Sequence, residues 1–391
     1  AVNDTMGHPA GDKLLMAAAD RLRACLRDSD MVARFGGDEF AVLQIELAGP
    51  HEAGALADRI VTLLSEPYDI DGQQVVIGAS AGIALAPADG ETSEQILGNA
   101  DIALYGAKGD GRGVFRFFKP TMDARLRAHR ALELDLRKAL RAGEFEVCYQ
   151  PLVTLESGVI SGFEALLRWR HPLRGMVAPA DFIPLAEETG LIVPIGEWVL
   201  RQAYAEAAEW PDDLKVAVNL SPVQFKKGNL PQMVFAALAS SGLRAARLEL
   251  EITESVVLEE SKTNLATLHR LRALGVAIAM DDFGTGYSSL SYLRAFPFDK
   301  IKIDRSFISE LGESGDCKAI VRAITNLGLS LSIPTTAEGV ETEEQLELLR
   351  KEGCTEMQGY LFSRPVPASE IAGLLSPPRI GWQADRYLLT A

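Results

Sequence analysis

The sequence predicts an α/β chain in which a (β/α)8 barrel follows a smaller unit of mixed helices and strands. Three observations carry this reading. Between Phe145 and Gln358, eight short apolar segments alternate with stretches that can hold helices, the pattern of a parallel barrel. Polar residues recur where those apolar segments end, which is where a barrel of this type gathers its chemistry. The chain has 391 residues, too many for one ordinary core, so two domains are the natural division.

Composition narrows the class. Apolar residues make up 47% and charged residues 24%, which fits a globular protein. The net charge of −15 argues against a general nucleic-acid binder, because phosphate backbones need a basic surface. Cys25, Cys148, Cys317 and Cys354 have no CxxC spacing, so neither a zinc site nor a disulfide framework is indicated, and a reducing compartment is. No apolar run approaches the ~20 residues of a membrane span, and no signal peptide is present. A cytoplasmic location without membrane contact in this segment is the expectation. Val2-Asn3-Asp4 enters abruptly into a helix-like stretch. That start predicts a fragment of a longer protein, whose missing N-terminal region could tether it to a membrane.

Residues 1–118 are assigned to the first unit. Asp12 to Leu26 has helical spacing of Leu, Met and Ala. Val32 to Phe35 and Phe40 to Leu43 read as two strands joined by a tight Gly36-Gly37 turn, with Asp38 and Glu39 at or just after it. His51–Leu64 reads as a helix, Val75–Ala84 as a strand and Ser93–Lys108 as a further helix. The glycine-rich, basic stretch Lys108-Gly109-Asp110-Gly111-Arg112-Gly113 suits either a phosphate cradle or a surface loop.

The motifs Asn3-Asp4, Gly7-His8, Gly11-Asp12, Ala33-Arg34-Phe35-Gly36-Gly37-Asp38-Glu39-Phe40, Ala100-Asp101-Ile102-Ala103-Leu104-Tyr105 and Ala107-Lys108 with Gly111-Arg112 together resemble the GGDEF domain, the diguanylate cyclase family. The resemblance implies an α+β, nucleotidyl-cyclase-like fold. It implies that Asn3 and Asp12 contact guanine and that Gly36, Gly37, Asp38 and Glu39 form the GTP–metal site. Lys108 and Arg112 would hold the triphosphate. Arg27 and Asp30 match the family's RxxD product-inhibition site. The family's first strand, with a further metal-binding aspartate, would precede residue 1, so this unit as it stands is not expected to make cyclic di-GMP.

Residues 119–143 are read as a connecting helix, with Leu126, Leu132, Leu136 and Leu140 amid Arg, Lys and Glu. With no Gly/Ser-rich linker, the join is expected to be semi-rigid. Residues 144–376 hold the barrel, with strands expected at Glu146–Val153, Gly162–Leu167, Val216–Asn219, Leu248–Ile252, Val276–Met280, Lys300–Ile303, Ile333–Ala337 and Glu356–Gln358. Asn219, Glu251, Asp281, Lys302, Glu338 and Gln358 fall at or just beyond strand ends. Capping is the usual job of Asn or Asp there, but it does not explain Glu, Lys and Gln recurring on successive strands. Converging carboxylates with one amide and one lysine favour a divalent-metal site with a cationic helper. Asp281-Asp282 is ambiguous by itself, since it suits an Asx-type turn as well as a metal site. Both acids can serve one site only if the strand stops there, because successive strand side chains face opposite ways. Glu249 and Glu251 share a strand face, as do Lys300, Lys302 and Asp304. Glu251 and Lys302 are preferred because they lie nearer the strand ends. The tail 377–391 carries Trp382, Tyr387 and two leucines and reads as a docked terminus.

Tyr149-Gln150-Pro151, Glu164-Ala165-Leu166-Leu167-Arg168-Trp169, His171-Pro172, Val218-Asn219-Leu220-Ser221-Pro222, Glu251-Ile252-Thr253-Glu254, Asp281-Asp282-Phe283-Gly284-Thr285-Gly286, Lys302-Ile303-Asp304, Ala337-Glu338-Gly339-Val340-Glu341 and Gln358-Gly359-Tyr360 resemble the EAL domain, a family that hydrolyses cyclic di-GMP to linear pGpG. The resemblance implies a TIM-like barrel with one reversed strand. It implies that Glu164, Asn219, Glu251 and Asp281 bind a first metal, that Asp281 and Asp282 hold a second, and that Glu338 acts near both. Gln150, Leu166, Arg168 and Gln358 would meet substrate or its water network. Glu254 would brace the loop after Asp281. Lys302 would orient or deprotonate the attacking water, so Lys302, Glu338 and Glu164 are the catalytic candidates. Two Mg2+ or Mn2+ ions per site are implied, with Ca2+ binding but not supporting turnover, and a homodimer through the EAL domains. The expected function is metal-dependent hydrolysis of cyclic di-GMP, with GTP at the GGDEF domain as a regulator. The alternatives are a bifunctional enzyme and a non-catalytic cyclic di-GMP receptor.

Overall fold

The structure is a computed structural model that describes residues 6–227, 229–258, 262–285, 296–312 and 315–375. The chain divides into two compact units, Ala1–Leu132 and Glu133–Ala391. The helix Pro120–Ala142 runs across that division. Among the described residues no helix is long and apolar enough to cross a membrane.

The first unit starts with the helix His8–Cys25, whose Ala10, Leu14, Ala18, Leu22 and Cys25 recur at three- and four-residue spacing and are buried. They pack with Leu64, Tyr68 and Ile70. Strands β1 (Met31–Gly36) and β2 (Glu39–Leu43) pair antiparallel through a turn at Gly37, whose φ of 51° is natural for glycine. The Arg34 guanidinium closes that turn by donating to the Gly37 carbonyl at 2.7 and 3.0 Å. The helix Pro50–Leu64 leads to β3 (Tyr68–Ile70) and β4 (Gln73–Val75), an antiparallel hairpin around Asp71-Gly72. The single strand expected over Val75–Ala84 is therefore two pieces: β4 ends at Val75, and β5 (Ala81–Ile83) pairs in parallel with β6 (Phe115–Phe117). The hairpin turn takes up Val75 for local pairing, so the later apolar residues join a different sheet. Between β5 and β6, the helix Ser93–Gly109 begins with a reciprocal cap from Thr92 and Gln95.

The second unit is a closed barrel. Its strands are β7 (Phe145–Thr154), β8 (Ile160–His171), β10 (Lys215–Leu220), β11 (Leu248–Thr253), β12 (Ala277–Phe283), β13 (Lys300–Ile303), β14 (Thr335–Ala337) and β15 (Glu356–Met357). The short β9 (Gly175–Val177) extends β8 at the rim, and β16 (Val366–Pro367) does the same for β7. From β8 to β15 the barrel strands pair in parallel. β7 is antiparallel to both β8 and β15, so it is the reversed strand that the resemblance implied. The cause is local, because the turn between Thr154 and Ile160 is far too short for a parallel crossover. Outside the barrel, Phe145, Trp169 and Phe182 stack with ring centroids 5.5–6.0 Å apart and seal the β7–β8 hairpin against the helix Pro179–Thr189. Gly162 lets β8 approach β10 closely, since a Cβ there would lie 2.5 Å from the Lys215 carbonyl oxygen. Gly162→Ala should cost about 1–3 kcal/mol through that backbone clash. A thermal melt of the full chain would show the barrel transition moved down by several degrees, and an unchanged transition would refute the close-contact reading.

Candidate active site at the mouth of the barrel

Strand alternation builds this site. Glu164 on β8, Asn219 on β10, Glu251 on β11, Asp281 on β12 and Lys302 on β13 face the barrel interior near its carboxyl end, and Glu338 and Gln358 follow β14 and β15 directly. Lys302, only 1% exposed, is the hub. Its ammonium lies 2.5 Å from Glu338, 2.7 Å from Glu251, 3.4 Å from Asp281 and 3.5 Å from Glu164. These partners sit on strands that are not all neighbours of β13, so the contacts pass through the barrel interior. Asn219 Nδ2 donates to Glu164 at 2.5 Å, and Gln358 Nε2 donates to Glu164 at 2.5 Å and to Gln150 at 2.9 Å. Gln150 in turn donates to the Ser363 carbonyl at 3.1 Å. Leu166 and Arg168 follow Glu164 on the same face of β8, both half-buried.

The two adjacent acids are presented differently from the sequence expectation. The strand does not stop before Asp282. It continues to Phe283, with a register shift between Met280 and Phe283, and Asp282 adopts a φ of 53°. This bulged, left-handed residue, a conformation aspartate tolerates better than most, turns the second carboxylate to the same side as the first. Asp281, Asp282 and Glu338 then place carboxylate oxygens within 4.8 Å of one another. The loop is held from below. Gly284 N–H donates to Glu254 at 3.0 Å, and Thr285 donates to the Asp282 carbonyl through Oγ1 at 2.9 Å. The dimer surface expected after Asp282 falls largely on residues 286–295, outside the described residues.

One ammonium cannot offset five carboxylates. Burial works against the charge on Lys302, but Asp281, Glu164, Glu251 and Glu338 outweigh it and keep the lysine firmly protonated. Glu164 is held below the usual carboxylate range despite burial, by Lys302 and by the Gln358 and Asn219 amides. The excess negative charge appears elsewhere. Burial, then repulsion from Glu164, lifts Glu251 well up. Burial, together with Asp281 and Glu164, lifts Glu338 to about 8. Burial, then Asp281 and Asp304, lifts Asp282 to about 6. Glu251 Oε1, Asp281 Oδ1 and Gln358 Oε1 are buried without a hydrogen-bond partner. Surplus negative charge and undonated oxygens suit hard divalent cations, so the residues present fit the implied metals.

The remaining sequence candidates are also placed. Glu249 and Lys300 lie two residues behind Glu251 and Lys302 and pair with each other at 2.8 Å in a deeper layer. Asp304 does not enter the cluster as a ligand; it caps the helix Arg305–Ser309 by accepting from Ser306 N–H at 3.0 Å. The sequence reading passed over Ser161, Thr336 and Glu356, which complete that deeper layer. The same two-residue alternation that marks the upper layer could have found Thr336 and Glu356, but not Ser161, which enters through the register shift between β7 and β8. In the first unit Asp12, Gly36, Gly37, Asp38, Glu39, Lys108 and Arg112 are all exposed. Arg27 and Asp30 form a tight turn in which Arg27 N–H donates to the Asp30 carboxylate at 3.0 Å. Asn3 and the tail 377–391 lie outside the described residues.

Comparison with known proteins agrees with this architecture. Residues 133–365 match the EAL domain model, and residues 1–114 match the model described as diguanylate cyclase, GGDEF domain. The bifunctional diguanylate cyclase/cyclic di-GMP phosphodiesterase MucR of Pseudomonas aeruginosa is 47% identical over 95% of this chain and 55% of its own length. The cyclic di-GMP phosphodiesterase NbdA of the same species is 43% identical over 96% of this chain and 48% of its own length. The chain thus spans about half the length of these curated relatives. A solved MucR phosphodiesterase in complex with c-di-GMP matches with a TM-score of 0.60 and 47% identity, covering 62% of this chain and 99% of that one.

The raised carboxyls fix a pH dependence for the cation-free protein. A carboxyl whose folded pKa exceeds its unfolded value binds more protons when folded, so its stabilising contribution is present at low pH and is lost as pH rises. For Glu338 that window runs from the ordinary 4.5 to about 8, and for Asp282 from 3.8 to about 6. Glu164 has the opposite sign, and its contribution is lost only below the ordinary carboxylate range. In EDTA the melting temperature of the barrel should fall between about pH 5 and pH 8. A divalent cation should flatten that slope. A melting temperature that rises with pH in EDTA would contradict the surplus-charge account.

Proposed function

Since the chain belongs to the EAL family and carries a GGDEF domain ahead of the barrel, we propose that the barrel hydrolyses cyclic di-GMP to linear pGpG with the help of divalent cations. The observation that carries this reading is the Lys302 cluster, in which surplus carboxylates and undonated buried oxygens surround one protonated lysine. Glu164, Asn219, Glu251, Asp281, Asp282 and Glu338 would hold two Mg2+ or Mn2+ ions. When bound, such ions lower the pKa of water and offset charge on a phosphodiester.

The reaction breaks one P–O3′ bond, adds a water oxygen to phosphorus and releases the 3′ hydroxyl. Lys302, buried among Glu164, Glu251, Asp281 and Glu338, orients the attacking water and offsets charge on the pentavalent transition state. Glu338, 2.5 Å from the Lys302 ammonium and beside Asp281 and Asp282, is placed at the mouth to hold a cation or to accept a proton from the water. Gln358 and Asn219 hold both oxygens of Glu164 and so fix its orientation. Leu166 and Arg168, further along the same strand face, offer an apolar contact and a guanidinium to a guanosine phosphate. Glu254 fixes the turn that carries Asp282. Residues 1–118 form the GGDEF unit, residues 119–143 the connecting helix and residues 144–376 the phosphodiesterase unit. The GGDEF unit regulates by binding GTP, and the barrels pair as a homodimer.

Glu164→Ala should abolish hydrolysis while the protein stays folded; near-normal turnover with Mg2+ would refute the assignment. EDTA should silence the protein, Mg2+ or Mn2+ should restore it, and Ca2+ should bind without supporting turnover, all read by resolving nucleotide products. Lys302→Ala should lower kcat by at least about a hundredfold with a smaller effect on KM, the scale of losing a preorganised electrostatic group. GTP should raise the rate or the melting temperature of the first unit, and the regulatory role fails if it changes neither.

A further inference from the structure

Beneath the Lys302 cluster lies a second ionic layer. Lys300 Nζ lies 2.8 Å from both Glu249 Oε1 and Glu356 Oε2. Glu356 also accepts from Ser161 Oγ at 2.8 Å and from Thr336 Oγ1 at 3.1 Å. Its carboxyl is held below the usual range although burial opposes this, because Lys300 and the two hydroxyls favour the ionised form. Lys300 is likewise kept charged against burial by Glu249 and Glu356. Glu249, Lys300, Thr336 and Glu356 lie two residues behind Glu251, Lys302, Glu338 and Gln358, and Ser161 joins them from the register shift between β7 and β8.

The layer sits at the strand that closes the barrel. β15 is only two residues long, and it closes the ring between parallel β14 and reversed β7. Backbone bonds continue past its ends: Thr355 N–H donates to the Thr335 carbonyl at 3.1 Å, and Gln358 N–H donates to the Ala337 carbonyl at 2.8 Å while its own carbonyl accepts from Val340 at 3.1 Å. What the ladder leaves open is the side-chain placement of Gln358. Yet Gln358, one residue past β15, must be placed closely enough to donate to both Glu164 and Gln150. Glu356 is the only charged side chain of β15, and its contacts reach β13 through Lys300, β14 through Thr336 and β8 through Ser161. It therefore ties the closing strand to three others at once.

We propose that Glu356, clamped by Lys300, Ser161 and Thr336, is a positioning residue that sets Gln358 and, through it, the orientation of Glu164. The role is geometric and rests on the phosphodiesterase reading only for its kinetic readout. Removing the anchor leaves the Gln358 backbone bonded to Ala337 and Val340 but frees Glu356 from β8, β13 and β14, so the Gln358 amide loses its alignment with its two acceptors. Glutamine at 356 retains size and hydrogen-bonding capacity, so it preserves the anchor.

The test is a double-mutant cycle with Glu356→Ala, Glu356→Gln, Gln358→Ala and the double variant Glu356→Ala/Gln358→Ala in the full chain. Glu356→Ala should lower kcat for cyclic di-GMP about 10–100-fold, the range for residues supporting metal ligands. Glu356→Gln should recover most of that loss. The double variant should be no slower than Gln358→Ala, because both changes act through one amide. Losses that multiply, or a Glu356→Gln variant as slow as Glu356→Ala, would overturn the proposal. Ser161→Ala, which removes one hydrogen bond from Glu356, should give a smaller loss in the same direction even if Glu356→Ala fails to fold; no loss would count against the anchor. A second readout needs no activity. The side-chain amide NMR signals that vanish in Gln358→Ala should shift in Glu356→Ala and stay near their native positions in Glu356→Gln; unmoved signals in Glu356→Ala would overturn the proposal. If the wild-type protein hydrolyses no cyclic di-GMP, the function reading fails while the amide signals still test the anchor.

Discussion

The barrel interior depends on one interaction, the burial of a single protonated lysine among more carboxylates than it can balance. Lys302 touches acids from β8, β11 and β12 and from the end of β14. A lone buried ammonium is costly, and so is each buried carboxylate. Together they are tolerable, but the sum stays negative. Burial first, and then that residue of charge, raises Glu251, Glu338 and Asp282, and the surplus makes the mouth of the barrel attractive to cations. Removing the lysine from such a cluster leaves several carboxylates uncompensated, whereas removing one acid relieves part of the surplus.

The polar interior has two tiers with different jobs. In the upper tier one ammonium faces five carboxylates, whereas in the lower tier one ammonium faces two. In the lower tier, Glu249, Lys300 and Glu356 sit within direct contact, and Ser161 and Thr336 donate to Glu356. The lower tier is a structural floor, and the upper tier is a site with unmet demands. A strand period of two puts both on one face, so the same β11, β13 and β15 supply floor and site.

Backbone irregularity completes the upper tier. A regular strand would have sent Asp281 and Asp282 to opposite faces. The bulge with Asp282 at positive φ brings both to one side, and Glu254 holds the turn that follows. The bulge sits beside the reactive groups, a common place for one. The turn is tightened further by Gly284, where a Cβ would meet Phe307 at 2.9 Å.

The sequence alone determined the alternation of strands and helices, the strand ends that carry Asn219, Glu251, Asp281, Lys302, Glu338 and Gln358, and, by resemblance, the two families and Glu164. These were legible because strand period, apolar runs and motif spacing are local properties. The reversed direction of β7 was also implicit in its short turn to β8. Three things needed the tertiary structure. Val75–Ala84 divides between two sheets, a choice made by which partner strand is at hand. Asp282 joins Asp281 through a bulge, which depends on pairing with β13. Lys302 was preferred over Lys300 from its place nearer the strand end, but that Lys300 braces Glu249 and Glu356 needed closure of the barrel. Position along the strand sets the depth of each lysine, while the partners at each depth come from other strands, which no local pattern encodes.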